Sequence, residues 1–120
     1  MSLMNVQYDT MVKSLLNSGK DIQASLTASE ANLVHLALGI SGEAGEVVDA
    51  IKKAAIYKKP LDRDNIIEEL GDLEFYMEGL RQAIGVTRKE VIDSNVQKLG
   101  KRYSSGKYSD KQAQDRADKV

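Results

Sequence analysis

The sequence predicts an all-α protein, a four-helix bundle, and three observations carry that prediction. Apolar residues recur at steps of three and four along most of the 120 residues, the spacing of one helix face. Pro60 is the only proline, and runs of β-branched residues are scarce. Short polar stretches with capping residues separate the apolar runs, and none of those runs alternates as a strand would.

A first helix is expected over about residues 4–17, ending at Asn17-Ser18-Gly19. "SLTASEANLV" then offers Thr27 or Ser29 as cap to a second helix, with Leu33, Leu36 and Ile40 on its apolar face. It runs to about Tyr57, where "KKP" stops it. "LDRDNIIEELGDLEFYMEGLRQAIG" opens with acids suited to a helix N-terminus and closes on Gly85, a C-terminal cap. Thr87 and Glu90 have capping-box spacing and start a fourth helix that reaches about Tyr103. The short connections imply a bundle. Residues 1–120 read as one domain, with a core over about 4–103 and a polar tail over 104–120 that is loose or partly helical.

Composition excludes several classes of function. Cysteine is absent and His35 is the one histidine, so disulfide frameworks and Cys/His zinc sites are ruled out. No apolar run approaches the ~18 residues that a membrane span needs. No basic and then apolar leader opens the chain, so a reducing, cytoplasmic setting is expected. Residues 41–80 hold ten acids against five Lys or Arg, and residues 98–120 hold seven Lys or Arg against three Asp. An acidic middle and a basic end suit a cation-plus-phosphate ligand better than a nucleic-acid polymer.

Two acidic pairs interrupt the apolar stripes. In the second helix the stripe is Leu33, Leu36, Ile40, then 43 or 44, Val47, Ile51. Glu43 falls on that line, with Glu46 one turn on. In the third it is Ile66, then 69 or 70, Leu73, Met77, Leu80; Glu69 falls on the line and Asp72 flanks it. Spacing of i and i+3 sets two carboxylates on one face, about 5–6 Å apart at Cβ. They are either solvated acids of amphipathic helices, with Ala44 and Leu70 as the stripe residues, or an inward cluster. Four uncompensated charges turned inward need a cation. Oxygen ligands select a hard one, Mg²⁺ or Mn²⁺ ahead of Ca²⁺. Gly39, Gly42, Gly45 and Gly71 lie among these acids and either admit a ligand or serve close helix packing. A di-iron carboxylate bundle fails, because Asn32 stands three before His35 where a Glu is required. Nucleophilic triads and phosphate-binding glycine loops are absent.

"GEAGEVVDAIKK" followed by "NIIEELGDLEFY" resembles the MazG-like, all-alpha nucleoside triphosphate pyrophosphohydrolases, whose pattern is E-E-x-x-E, a spacer, then E-x-x-D. Glu43, Glu46, Glu69 and Asp72 match it, and Gly42 stands where the first Glu is usual. "SNVQKLGKRYSSGKYS" is similar to the family's closing helix, and the resemblance covers roughly residues 28–110. It implies hydrolysis between the α- and β-phosphates of a nucleotide, giving nucleoside monophosphate and pyrophosphate. Mg²⁺, with Mn²⁺ as an alternative, is then held by the four carboxylates, which form the catalytic site. Lys53, Tyr76, Asn95, Lys98 and Arg102 become candidate substrate contacts: cations for the phosphates, Tyr76 for sugar or base, and Asn95 as an amide interrupting the stripe Ile92, Val96, Leu99. The resemblance also implies a homodimer or homotetramer. The competing reading is a non-catalytic helical interaction module, to which Gly42 lends some weight.

Overall fold

The computed structural model describes residues 7–116 and 118. Six α-helices follow one another: α1 (Tyr8–Leu15), α2 (Gly19–Ser25), α3 (Ala28–Ala55), α4 (Arg63–Ile84), α5 (Arg88–Arg102) and α6 (Asp110–Asp115). Among the described residues there is no strand, so the all-α class is as expected. The chain parts into two compact units, Met1–Asn32 and Leu33–Val120.

In the first unit the expected first helix is present as the shorter α1, and a helix that was not expected, α2, follows it. Residues 4–6 of that expectation lie outside the described residues. α1 ends where Leu16 turns extended, with ψ at 133°. Ser18 then caps a short second helix, its Oγ accepting from the Asp21 N–H at 3.0 Å. Gly19, read as a stop, is the first residue of α2. Further on, Thr27 rather than Ser29 caps α3. Glu30 N–H donates to Thr27 Oγ1 at 3.1 Å, and Thr27 N–H donates to Glu30 Oε1 at 3.0 Å, a reciprocal capping box. Hydrogen bonds from Thr27 to the Glu30 carboxyl, its backbone N–H first and its hydroxyl second, hold that carboxyl below its ordinary value.

In the second unit, α3 ends at Ala55, two residues early, because Lys58 takes a left-handed backbone with φ at 56° and Pro60 follows. Asp62 caps α4 by accepting from the Asn65 N–H at 3.1 Å. Gly85, with φ at 75°, closes α4, while the Val86 N–H bonds back to Arg81 O at 3.0 Å. Thr87 caps α5 by accepting from the Glu90 N–H at 3.1 Å. α6 is a short turn in the tail.

α3 and α4 run antiparallel, and glycines set their register. A β-carbon on Gly79 of α4 would stand 2.8 Å from Leu36 of α3. One built on Gly39 of α3 would stand 2.5 Å from Cγ of Tyr76 on α4, and closer still to Cδ1 and Cε1. Each helix thus offers a glycine hole to the other's large side chain. Moving three residues forward on α3 moves the contact three residues back on α4. Ala50 and Asn65 continue this ladder, lining one cavity at its far end. At the end of α3 Ala50 is buried and Ile51, on the expected line, is exposed. Ile51 is five full turns from Leu33 and so keeps phase with it; the face that meets α4 is the flank carrying Leu36, Gly39 and Ala50.

Candidate metal centre

The same register carries acids past one another. Glu43 and Glu69 are half-buried and Asp72 is exposed. One carboxylate oxygen from each of Glu43, Glu69 and Asp72 lies within 4.8 Å of the others. Glu69 rather than Leu70 is the inward residue of α4, since Leu70 is 49% exposed. Glu46 is exposed and stands outside the three-oxygen group, yet close enough to act on Glu69. Partial burial, and then the negative charges of Glu46, Asp72 and Glu43, hold the Glu69 carboxyl above its ordinary value.

Other acids on α4 are treated differently. Arg81, only 12% exposed at its side chain, donates from Nη2 to Glu74 at 2.5 Å and from Nε to Glu78 at 2.9 Å. Gln82 donates to the second Glu78 oxygen at 2.9 Å. Glu74 and Glu78 therefore share a cationic partner within their own helix. Among the described residues, no Lys or Arg forms a salt bridge with Glu43, Glu69 or Asp72. The chain answers one set of half-buried acids with a guanidinium and leaves the other open. An all-oxygen donor set with unbalanced charge fits a hard divalent cation.

Two glycine questions resolve in opposite ways. Gly39 is a close-packing glycine. A β-carbon on Gly42, Gly45 or Gly71 would meet nothing within 4 Å, so packing inside this chain does not account for them.

The candidate substrate contacts are dispersed. Tyr76 is half-buried against Gly39, edge-to-face with Phe75 at 5.2 Å and with His35 at 6.0 Å. Lys53 is exposed, 3.6 Å from Asp49. It lines a cavity of about 430 Å³ with Ala50, Lys59, Pro60, Asp62 and Asn65, beyond the acids along the helix pair. On α5, Asn95 is exposed and Lys98 half-buried. Its stripe residues Ile92, Val96 and Leu99 are exposed too. Arg102 is engaged: Nε donates to Asp118 Oδ1 at 3.0 Å and Nη2 to Oδ2 at 3.4 Å. That pairing raises the Arg102 pKa and lowers that of Asp118. Sequence reasoning missed both the Arg81 and the Asp118 pairings. The first had a signal in the spacing of Glu74, Glu78 and Arg81; the second spans sixteen residues and had none.

Comparison with known proteins agrees with this geometry. A family model described as the MazG nucleotide pyrophosphohydrolase domain matches residues 32–106. The chain is 32% identical over 78 residues to the Gene 37 protein of Mycobacterium phage L5, covering 62% of this chain and 68% of that protein. No solved structure matches the chain. The matched stretch holds most of α3, including both of its acids, and all of α4 and α5, and the chain belongs to the MazG nucleotide pyrophosphohydrolase domain family.

Proposed function

We propose that the protein is a Mg²⁺-dependent nucleoside triphosphate pyrophosphohydrolase. It cleaves between the α- and β-phosphates of a (deoxy)nucleotide, releases nucleoside monophosphate and pyrophosphate, and serves to clear the nucleotide pool. One observation carries the reading: Glu43, Glu69 and Asp72 converge without a basic partner among the described residues, while neighbouring acids on α4 have one.

Glu43, Glu69 and Asp72 hold the ion, Mg²⁺ or in its place Mn²⁺, and Glu46 adds negative charge at the rim. When bound, the ion supplies Lewis-acid neutralisation of phosphate charge. The chain's own groups do the rest. Tyr76 stands one turn from Asp72 and packs against the sugar or base. Lys53 and Lys98 attract the phosphate tail, and Asn95 offers an amide to the substrate. Arg102 joins them once it exchanges the Asp118 carboxylate for a phosphate, which likewise offers a guanidinium two acceptor oxygens.

The working form is a homodimer or homotetramer. Leu36 and Ala50 are the only buried hydrophobic residues among those described. Ile67, Leu70, Phe75 and Val96 remain exposed, Phe75 by 71%. Apolar surface on this scale favours covering by a second copy. Among the described residues no helix is long and apolar enough to cross a membrane; the acidic middle of the chain, residues 41–80, suits a nucleotide with its cation better than a nucleic-acid polymer.

The test is pyrophosphate release from a panel of nucleotides, with Mg²⁺ and then with excess EDTA. Turnover of at least one nucleotide that EDTA abolishes is expected. Activity persisting in EDTA would refute the carboxylate site, and no turnover of any nucleotide would leave the binding-module reading standing.

A further inference from the structure

The contact between Gly39 and Tyr76 does more than set helix register. On α3, His35, Gly39 and Glu43 follow one another at four-residue steps and so share one face. On α4, Asp72 and Tyr76 are also four apart. The Tyr76 ring therefore occupies the layer directly next to the carboxylates on both helices. It is fixed there by Gly39 beneath, His35 at 6.0 Å and Phe75 at 5.2 Å.

We propose that Gly39 is a positioning residue for nucleotide recognition: lacking a side chain, it lets the Tyr76 ring sink onto α3 and so fixes where the ring meets the sugar or base. The inference rests on the reading that this site binds a nucleotide. Any side chain at position 39 overlaps the ring. A methyl group there would fall within 2.5 Å of Cγ, a separation that carbon atoms do not tolerate, so the ring must swing away. The near-twin contact serves as control. A methyl at Gly79 meets only the end of the flexible Leu36 side chain, at 2.8 Å, in the layer beyond Tyr76 as seen from the acids.

The experiment measures KM and kcat for pyrophosphate release, and binding of a non-hydrolysable nucleoside triphosphate analogue. It compares wild type, Gly39→Ala, Gly79→Ala, Tyr76→Ala and Gly39→Ala/Tyr76→Ala. Gly39→Ala is expected to raise KM and the analogue's Kd about tenfold while lowering kcat by less than about threefold. Gly79→Ala is expected to stay within about twofold of wild type in both. In the Tyr76→Ala background the added Gly39→Ala change should have no further effect, because the ring it displaces is gone. A Gly39→Ala protein with wild-type KM overturns the inference, and so does a double variant more than about threefold from Tyr76→Ala. If Gly39→Ala alone does not fold, by circular dichroism, the comparison of the double variant with Tyr76→Ala decides. A wild type that turns over nucleotides beside an unaffected Gly39→Ala refutes this inference alone. A wild type that neither binds nor hydrolyses any nucleotide refutes the proposed function and this inference with it.

Discussion

Glu46 is the strongest electrostatic neighbour of Glu69, and both are acids on facing helices. Partial burial, followed by repulsion from Glu46, Asp72 and Glu43, makes Glu69 hold its proton above the ordinary carboxylate range. The sign of the consequence follows from proton counting. Between the unfolded value, about 4.3, and the raised folded value, the folded state binds more protons than the unfolded chain. Without metal, Glu69 therefore lowers stability as pH rises through that window. Melting curves in EDTA should show wild type losing stability relative to Glu69→Gln on going from acid to neutral pH, and Mg²⁺ should cancel the loss at neutral pH. A difference independent of pH would argue against the cluster.

Glu69→Gln keeps shape and removes one charge. In EDTA the variant should be as stable as wild type or slightly more so at neutral pH, since repulsion is relieved. Turnover should fall by about a hundredfold or more, because charge stabilisation at the phosphates is lost. The melting shift that Mg²⁺ produces in wild type should shrink in parallel. A surface acid would behave differently, with turnover unchanged and stability altered by no more than about 0.5 kcal/mol. Wild-type turnover together with a wild-type Mg²⁺ shift would remove Glu69 from the site.

Asp118 competes for Arg102. Its carboxyl is held below the usual value, first by the hydrogen bond from Arg102, so the pairing is complete above the ordinary Asp pKa of about 3.9 and is lost only as pH falls through the lowered value. At neutral pH the contact is fully formed. Asp118→Asn should weaken it and lower the nucleotide KM by about threefold, while Arg102→Ala raises KM. Identical KM values in both variants would show that Arg102 serves the tail alone.

Exposed apolar residues on α4 supply a test of assembly. Sedimentation should give a dimer or tetramer for wild type. Leu70→Glu combined with Phe75→Glu should shift it toward monomer, because two charges cannot be buried in an apolar contact without partners. A wild-type protein that sediments as a monomer at all concentrations would end the oligomer proposal.

What the sequence determined by itself lies within one turn of helix. Thr27 with Glu30, Asp62 with Asn65 and Thr87 with Glu90 are hydrogen bonds across three residues; Thr87 was readable as a cap, Thr27 as one of two candidates beside Ser29, and Asp62 as one of several acids opening α4. The acidic pairs were equally readable, because i and i+3 share a face wherever a helix forms. Ser18 and Gly19 were read as a stop, and α1 does end before them; what went unread is that Ser18 also caps α2, its hydroxyl accepting from the Asp21 N–H. The tertiary structure alone decided which surfaces meet. Periodicity left 69 and 70 equally eligible to face inward, and the seating of Tyr76 on Gly39 and Leu36 on Gly79 settled the matter for the acid. Pairing of Arg102 with Asp118 belongs to the same class. Helix formation is governed by neighbours a few residues apart, whereas register depends on the shapes of two faces whose meeting no local spacing encodes.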